Sequence, residues 1–347
     1  MKYSIIVPVY NRPDEVNELL ESLSNQTQQD FEVIIVEDGS IKTCKDVCDK
    51  YADILALHYY AKENSGPGQS RNYGAERANG EWLIILDSDV VLPIGYLAAV
   101  DSAITHQTSD IAAFGGPDAA HPSFTPVQKA ISYSMTSFFT TGGIRGGKAK
   151  LDKFYPRSFN MGIRRDVYLQ LGGFSKMRFG EDIDFSYRIV EAGYRPQLFT
   201  DAWVWHKRRT DFRKFFRQVY NSGIARINLE KRHPGTMKLV HLLPTVFTIG
   251  VIGLILISAV GRALMHYVDR DQFYWMCFAP WIPILLYSLI IFVDSSIKNR
   301  SLWVGLLSIP AAFVQLMGYG LGFIESWWKR CILKQDEFTA FERTFYK

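Results

Sequence analysis

Asp87 and Asp89 stand one residue apart at the end of Glu81-Trp82-Leu83-Ile84-Ile85-Leu86, and they make the first chemical suggestion in the chain. Two carboxylates at i and i+2 on a loop can face one hard divalent cation and leave room for phosphate oxygens. The run before them is apolar and bounded by polar residues, which reads as a strand buried on both faces, as in a parallel sheet. Ligands of open α/β sheets bind beyond the carboxyl ends of the strands, so a charged cofactor belongs at this end. An isolated Asp-x-Asp is equally an ordinary acidic turn, and its neighbours must decide.

Other acids recur at such ends. Phe31–Val36 is a second buried strand, ending in Glu37-Asp38-Gly39-Ser40. Glu181, Asp182 and Asp184 crowd the start of a helical pattern running through Arg188 to Ala192, where the helix dipole favours acids. His206 closes the run Ala202-Trp203-Val204-Trp205. Gly115-Gly116-Pro117 follows the apolar Ile111–Phe114; a glycine there lets the backbone approach a ligand closely, and a plain turn explains it as well.

The elements that must position these groups alternate. Tyr3–Val9 is an apolar strand, and Pro8-Val9-Tyr10-Asn11-Arg12-Pro13 turns the chain into a helix with Val16, Leu19, Leu20 and Leu23 on its apolar face. A helix over Thr43–Tyr51 and a strand near Ile54–Tyr60 follow. The glycine-bearing loop Glu63-Asn64-Ser65-Gly66-Pro67-Gly68-Gln69-Ser70-Arg71-Asn72 then enters a helix lasting to Ala78. This order predicts βαβ units and a mainly parallel sheet.

At 347 residues and 48% hydrophobic, the chain has room for a large soluble domain and something more. Leu239–Val260, Phe273–Val293 and Leu302–Ile324 contain no charged residue, and each reaches the about 20 residues that cross a hydrocarbon core. Met1-Lys2-Tyr3-Ser4 runs straight into the first strand without a signal-peptide pattern, so the first 235 residues are expected in the cytosol and the chain in the cytoplasmic (inner) membrane as a multi-pass protein. The four cysteines form no Cys-x-x-Cys pair and read as free thiols. Net charge is +4, yet Lys207–Lys238 alone holds ten Lys or Arg against Asp211 and Glu230. A basic belt before the first span suits anionic headgroups or a phosphorylated lipid, and no nucleic-acid partner is expected.

Three crossings from a cytosolic start put the tail outside. Trp327-Trp328-Lys329-Arg330 and Lys334 instead read as a cytosolic interfacial edge. A re-entrant span or a broken charge rule are both open, with Pro244, Pro280, Pro283 and Pro310 as candidate helix breakers. The expected division is a catalytic domain over 1–205, basic juxtamembrane helices over 206–238, a transmembrane region over 239–325 and a basic tail over 326–347.

Taken in order, Pro8-Val9-Tyr10-Asn11, Glu37-Asp38-Gly39-Ser40, the Gly66–Asn72 loop and Asp87-Ser88-Asp89 resemble the signature of family 2 glycosyltransferases. So do Phe159-Asn160-Met161-Gly162-Ile163-Arg164-Arg165, Leu171-Gly172-Gly173-Phe174 and Phe179-Gly180-Glu181-Asp182-Ile183-Asp184-Phe185. The resemblance covers about Tyr3–Lys231. It implies the GT-A fold, a Rossmann-like α/β mixed sheet flanked by helices, followed here by an α-helical transmembrane region. Phe216–Gly223 and the spans look like membrane-anchored members that build exopolysaccharide or lipid-linked glycans. Processive polymerases of the family carry Gln-x-x-Arg-Trp, where this chain reads Gln218-Val219-Tyr220-Asn221-Ser222, so one sugar per acceptor is expected.

The same resemblance implies roles. Asp38 and Arg71 would hold a uracil base on which Pro8 and Tyr10 pack, and Asp87 would touch ribose or metal. Asp89 would bind Mn2+ or Mg2+, with His206 as a further ligand favouring Mn2+. Asp182 would be the general base, with Glu181 helping to bind donor sugar or acceptor and Asp184 structural. Gly116, Asn160, Met161 and Gln218 are expected near donor or acceptor. Thr141–Lys153 resembles a loop that orders on binding, with Arg145, Lys148 and Lys150 facing a pyrophosphate-lipid headgroup. The expected activity is inverting, metal-assisted transfer from a nucleotide-sugar, most readily UDP-linked, to a lipid-linked acceptor. The alternatives are glycosylation of polyprenyl phosphate and an inactive membrane scaffold.

Overall fold

The computed structural model describes residues 1–106, 111–121, 123–142, 154–264, 275 and 277–341. It divides into two compact units, one of Met1–Pro122 with Lys150–Lys207, the other of Ser123–Ala149 with Arg208–Lys347. Residues 123–149 therefore leave the sheet-bearing unit, which resumes and ends at Lys207. From residue 143 on, the loop expected over Thr141–Lys153 lies outside the described residues, with Arg145, Lys148 and Lys150.

In the first unit the strands are β1 Tyr3–Val9, β2 Phe31–Asp38, β3 Leu57–Lys62, β4 Trp82–Leu86, β5 Val90–Val91, β6 Ala113–Gly115, β7 Asp118–Ala119, β8 Asn160–Arg164, β9 Gln197–Leu198 and β10 Val204–His206. Seven of them form one sheet in the order β3-β2-β1-β4-β8-β6-β9. β1, β2, β3 and β4 pair in parallel, while β8 runs antiparallel to both β4 and β6. The sheet is thus mixed, with its parallel half formed by the alternating elements.

Strand alternation builds two cores. Tyr3, Ile5, Val7, Val33 and Ile35 face helices α1 (Pro13–Ser24), α2 (Lys45–Tyr51) and α4 (Tyr96–Thr105). Ile6, Ile34, Val36, Leu83 and Ile85 face α3 (Pro67–Glu76), α7 (Arg165–Gln170) and α8 (Glu181–Glu191). A β-strand with apolar residues on both faces has no solvent side, which is why these runs lack polar alternation. Glu32, near the start of β2, is a buried acid with its own partners: it accepts from Ser4 Oγ at 2.6 Å and from the Asn79 amide at 2.7 Å.

The second unit is helical: α5 (Pro126–Thr136), α6 (Phe138–Thr141), α9 (Phe212–Arg232), α10 (Leu243–Leu264), α11 (Ile282–Asn299) and α12 (Leu302–Trp327). Leu239–Ala263, Ala279–Asn299 and Leu302–Ile332 are long and apolar enough to cross a membrane. The middle one runs past Val293, because the helix continues through Asp294 and Lys298. These pair with each other at 2.9 Å, and Tyr133 Oη donates to Asp294 at 2.6 Å. Pro244, Pro280 and Pro283 fall in opening turns, where a missing N–H costs nothing, and Pro310 alone lies within a helix.

α9 carries many charges and packs closely on α12. A Cβ on Gly322 would lie 2.0 Å from the Tyr220 carbonyl oxygen, and one on Gly223 2.1 Å from that of Tyr319. Small residues permit such backbone approach between helices. The segment after α12 returns along α9, where the Asn221 side chain accepts from the Ala340 amide at 2.9 Å and Arg232 pairs with Glu337 at 2.8 Å.

Candidate active site

The carboxyl ends of β1, β2 and β4 lie along one edge of the sheet, and sheet register brings the acids there into relation. β5 begins immediately after Asp89 and pairs antiparallel with β10, setting His206 opposite Val90. His206 Nε2 consequently stands 3.3 Å from Asp89 Oδ1. β10 also pairs in parallel with β7, and Asp118 Oδ2 lies 3.8 Å from His206 Nδ1. Phe159 stacks on the imidazole at 4.9 Å.

Asp87, Asp89 and His206 each offer a ligand atom, all within 4.8 Å of one another. Neighbouring ligands of an octahedral ion at about 2.1 Å stand about 3 Å apart, so the Asp89–His206 spacing fits a divalent cation. Two carboxylates with one imidazole suit Mn2+ better than the all-oxygen preference of Mg2+. A carboxylate that accepts from the far nitrogen of a ligand histidine fixes its tautomer and ring; Asp118 faces that nitrogen at 3.8 Å, an ion-pair distance longer than a hydrogen bond.

Arg71, on α3, is buried and joins two acidic groups. Its Nη2 donates to Asp87 Oδ1 at 2.8 Å and its Nη1 to Glu181 Oε1 at 3.0 Å, with the guanidinium over Phe174. Asp182, the next residue, accepts from Arg157 Nε at 2.6 Å. Burial pushes the Glu181 carboxyl up to about 7; the Asp182 charge adds to this and Arg71 opposes it. Burial also raises Asp182, but the charge and hydrogen bond of Arg157 outweigh it and hold this carboxyl below its ordinary value. Adjacent carboxyls with opposite shifts mark a site at which proton positions are controlled. Asp184 pairs with Arg188, one turn on in the same helix, at 3.1 Å.

Asp38 is buried and accepts from Lys62 Nζ, from the Ser65 amide at 2.9 Å and from the Gly66 amide at 2.9 Å. It therefore anchors the start of the helix that carries Arg71. Asn11, at φ 55, accepts from the Ile41 and Lys42 amides at 2.8 and 2.9 Å and ties the end of β1 to the loop after β2. Pro8 is buried in β1 beside Val36, and Tyr10, half-buried, follows the end of the strand.

Other expected positions have different surroundings. Asn160 is buried with both ends of its amide engaged, by Tyr96 Oη at 2.6 Å and the Ala202 carbonyl at 2.8 Å. Met161 points into the core on the α3 side. The close approach at Gly116 is to protein, since a Cβ there would lie 1.7 Å from the Ala202 carbonyl oxygen. Gln218 belongs to the second unit, where it accepts from Arg209 at 3.3 Å. Arg12, Asp118 and Arg157 were not foreseen. Arg12 lies in the turn between β1 and α1, and nothing in the sequence points it at Asp89.

A mixed sheet in this order, with acids at the ends of β2 and β4 and a third cluster opening α8, defines the GT-A class of fold. Residues 4–172 match the family model for Glycosyl transferase family 2, and the chain carries a glycosyltransferase domain of that family. It is 31% identical over 194 residues to an uncharacterised glycosyltransferase of Haemophilus influenzae, covering 54% of this chain and 62% of that one. Against a poly(ribitol-phosphate) beta-N-acetylglucosaminyltransferase of Staphylococcus aureus it is 35% identical over 115 residues, 32% of this chain and 20% of that one. The chain spans less than two thirds of the length of these curated relatives. Among solved structures, the mannosyltransferase PcManGT of Pyrobaculum calidifontis, in complex with GDP-Man and Mn2+, superposes with a TM-score of 0.57 at 15% identity. The match covers 95% of this chain and 88% of that one, and it supports the fold.

Proposed function

We propose that the chain is an inverting glycosyltransferase that moves a single sugar from a nucleotide-sugar, with UDP-linked donors favoured, to a lipid-linked acceptor at the cytoplasmic membrane. The observation that carries this reading is the bridge made by Arg71, which joins an Asp-Asp-His set suited to a cation and a diphosphate to the acidic pair Glu181–Asp182.

Asp38 and Arg71 stand for the nucleotide side, with Pro8 and Tyr10 beside them. Asp87, Asp89 and His206 would hold Mn2+ or Mg2+, which supplies positive charge to the departing diphosphate. Asp182 is the general base: ionised in the resting enzyme and steadied by Arg157, it takes the proton of the attacking hydroxyl, an effect of about 10²- to 10⁴-fold. The basic stretch Lys207–Lys238 suits a phosphate-bearing acceptor. The poly(ribitol-phosphate) named for the Staphylococcus relative is also anionic, so the shared acceptor chemistry is phosphate.

The test is the full chain in lipid, given nucleotide-sugars with membrane lipid extract, polyprenyl phosphate or poly(ribitol-phosphate), and the product identified by mass spectrometry. Asp182→Asn is expected to bind nucleotide as the wild type does and to lose transfer by about 10²-fold or more. Normal turnover by that variant removes Asp182 as base, and transfer only to a soluble polymer removes the lipid-linked acceptor.

A further inference from the structure

We propose that Arg12 is a leaving-group residue, one that grips the nucleoside diphosphate released on transfer. This rests on the reading of the site as that of a nucleotide-sugar transferase, and it adds a residue which the sequence signature did not single out.

The position of Arg12 is fixed by its neighbours. Asn11 before it is pinned by two backbone amides across the β1–β2 edge, and Pro13 after it opens α1. From this turn the side chain reaches a residue 77 positions away, Nη1 donating to Asp89 Oδ2 at 2.5 Å. The other oxygen of Asp89 faces His206. Arg12 thus holds one oxygen of the acid that anchors the cation site, while the other is left to that site.

A guanidinium has five N–H donors in one plane, and one of them is used here. Among the described residues no other hydrogen bond of that group is found, and 31% of the side chain remains exposed. The neighbouring cations are committed elsewhere. Arg71 is buried between Asp87 and Glu181, and Lys62 is bonded to Asp38. A diphosphate entering beside Asp87, Asp89 and Asp118 meets three carboxylates, and among the described residues Arg12 is a partly exposed cation bonded to one of them. Its planar fork matches two phosphate oxygens at once, a fit that lysine, as a point charge, lacks. Asp89 holds the fork in orientation, so little side-chain freedom remains to be lost when phosphate arrives.

The experiment is calorimetry on the full chain in lipid nanodiscs with Mn2+. The probes are uridine, guanosine and thymidine diphosphates and the matching monophosphates, and Mn2+ binding is read separately by electron paramagnetic resonance. Arg12→Ala is expected to lose at least about tenfold in affinity for the diphosphate that the wild type binds, the floor set by losing even one of the two charge-assisted hydrogen bonds. Affinity for the monophosphate and for Mn2+ alone should change by less than about twofold. If Arg12→Ala does not fold, Arg12→Lys takes its place, with the same split expected at about threefold or more. Equal diphosphate affinity in wild type and variant, or an equal loss for monophosphate and Mn2+, overturns the proposal and leaves Arg12 a counter-charge for Asp89. A wild type that binds none of the diphosphates overturns the nucleotide reading itself.

Discussion

Replacing Arg71 by methionine removes a charge while keeping a flexible apolar stem over Phe174. The wild-type guanidinium makes two charge-assisted hydrogen bonds, at 2.8 and 3.0 Å. Asp87, 30% exposed, recovers water when its partner goes and costs little. Glu181, only 10% exposed, does not. Stripping one partner from a buried pair costs about 3–5 kcal/mol, and the lower end applies because one of the two acids is partly solvated. For a unit of this size the expected fall in melting temperature is about 6–12 °C. The sign of its pH dependence follows from Glu181, whose folded carboxyl at about 7 lies above the unfolded value of about 4.3. The stability it lends is therefore full below the unfolded value and is lost as pH rises through the folded one. Without Arg71 the folded value climbs further, so Arg71→Met should be hurt more at pH 8 than at pH 6. Adding Glu181→Gln should restore most of the loss, since the amide leaves no charge to strand. Thermal unfolding in detergent, followed by tryptophan fluorescence, reads all of this. A single mutant melting within about 1 °C of wild type, or a double mutant without recovery, refutes the bridge as drawn.

Asp118→Asn should weaken Mn2+ binding by up to about 10-fold in paramagnetic resonance titrations, by removing the carboxylate that faces His206 at 3.8 Å. Unchanged affinity would leave Asp118 no part in orienting the ring. Burial raises the Glu32 carboxyl, but hydrogen bonds from Ser4 and Asn79 outweigh it and keep the group below its ordinary value. Its contribution is thus present above the unfolded value of about 4.3 and lost as pH falls through the lower folded one. Glu32→Gln should flatten the acid side of the melting-temperature profile, and parallel profiles would contradict this.

The parallel half of the sheet was legible because its strands are buried on both faces and announce themselves as apolar runs. The acids were legible because they end those runs. What the sequence hid was set by pairing between distant strands. Asp118 joins the site through β7 and β10, and Arg12 through a side chain crossing to Asp89, and neither contact leaves a local pattern. Asn160 and Met161, expected near donor or acceptor, sit on β8, where one staples to Tyr96 and Ala202 and the other faces the core, and no local pattern sets those facings. In the helical unit, a rule that ends a span at its first charge stopped short of Asp294, because the neutralising Lys298 and the Tyr133 hydroxyl are invisible along a single segment.

The glycine contacts between α9 and α12 leave no side chain to act as a cushion where Gly322 meets the Tyr220 backbone. Sliding one helix along the other would drive carbonyl oxygens into α-carbons, so the two behave as a single rigid girder. Arg213, Lys214, Arg217, Arg226, Lys231 and Arg232 are mounted on one member of it. The height at which those charges ride is accordingly set by how deeply the other, apolar member sinks into a bilayer.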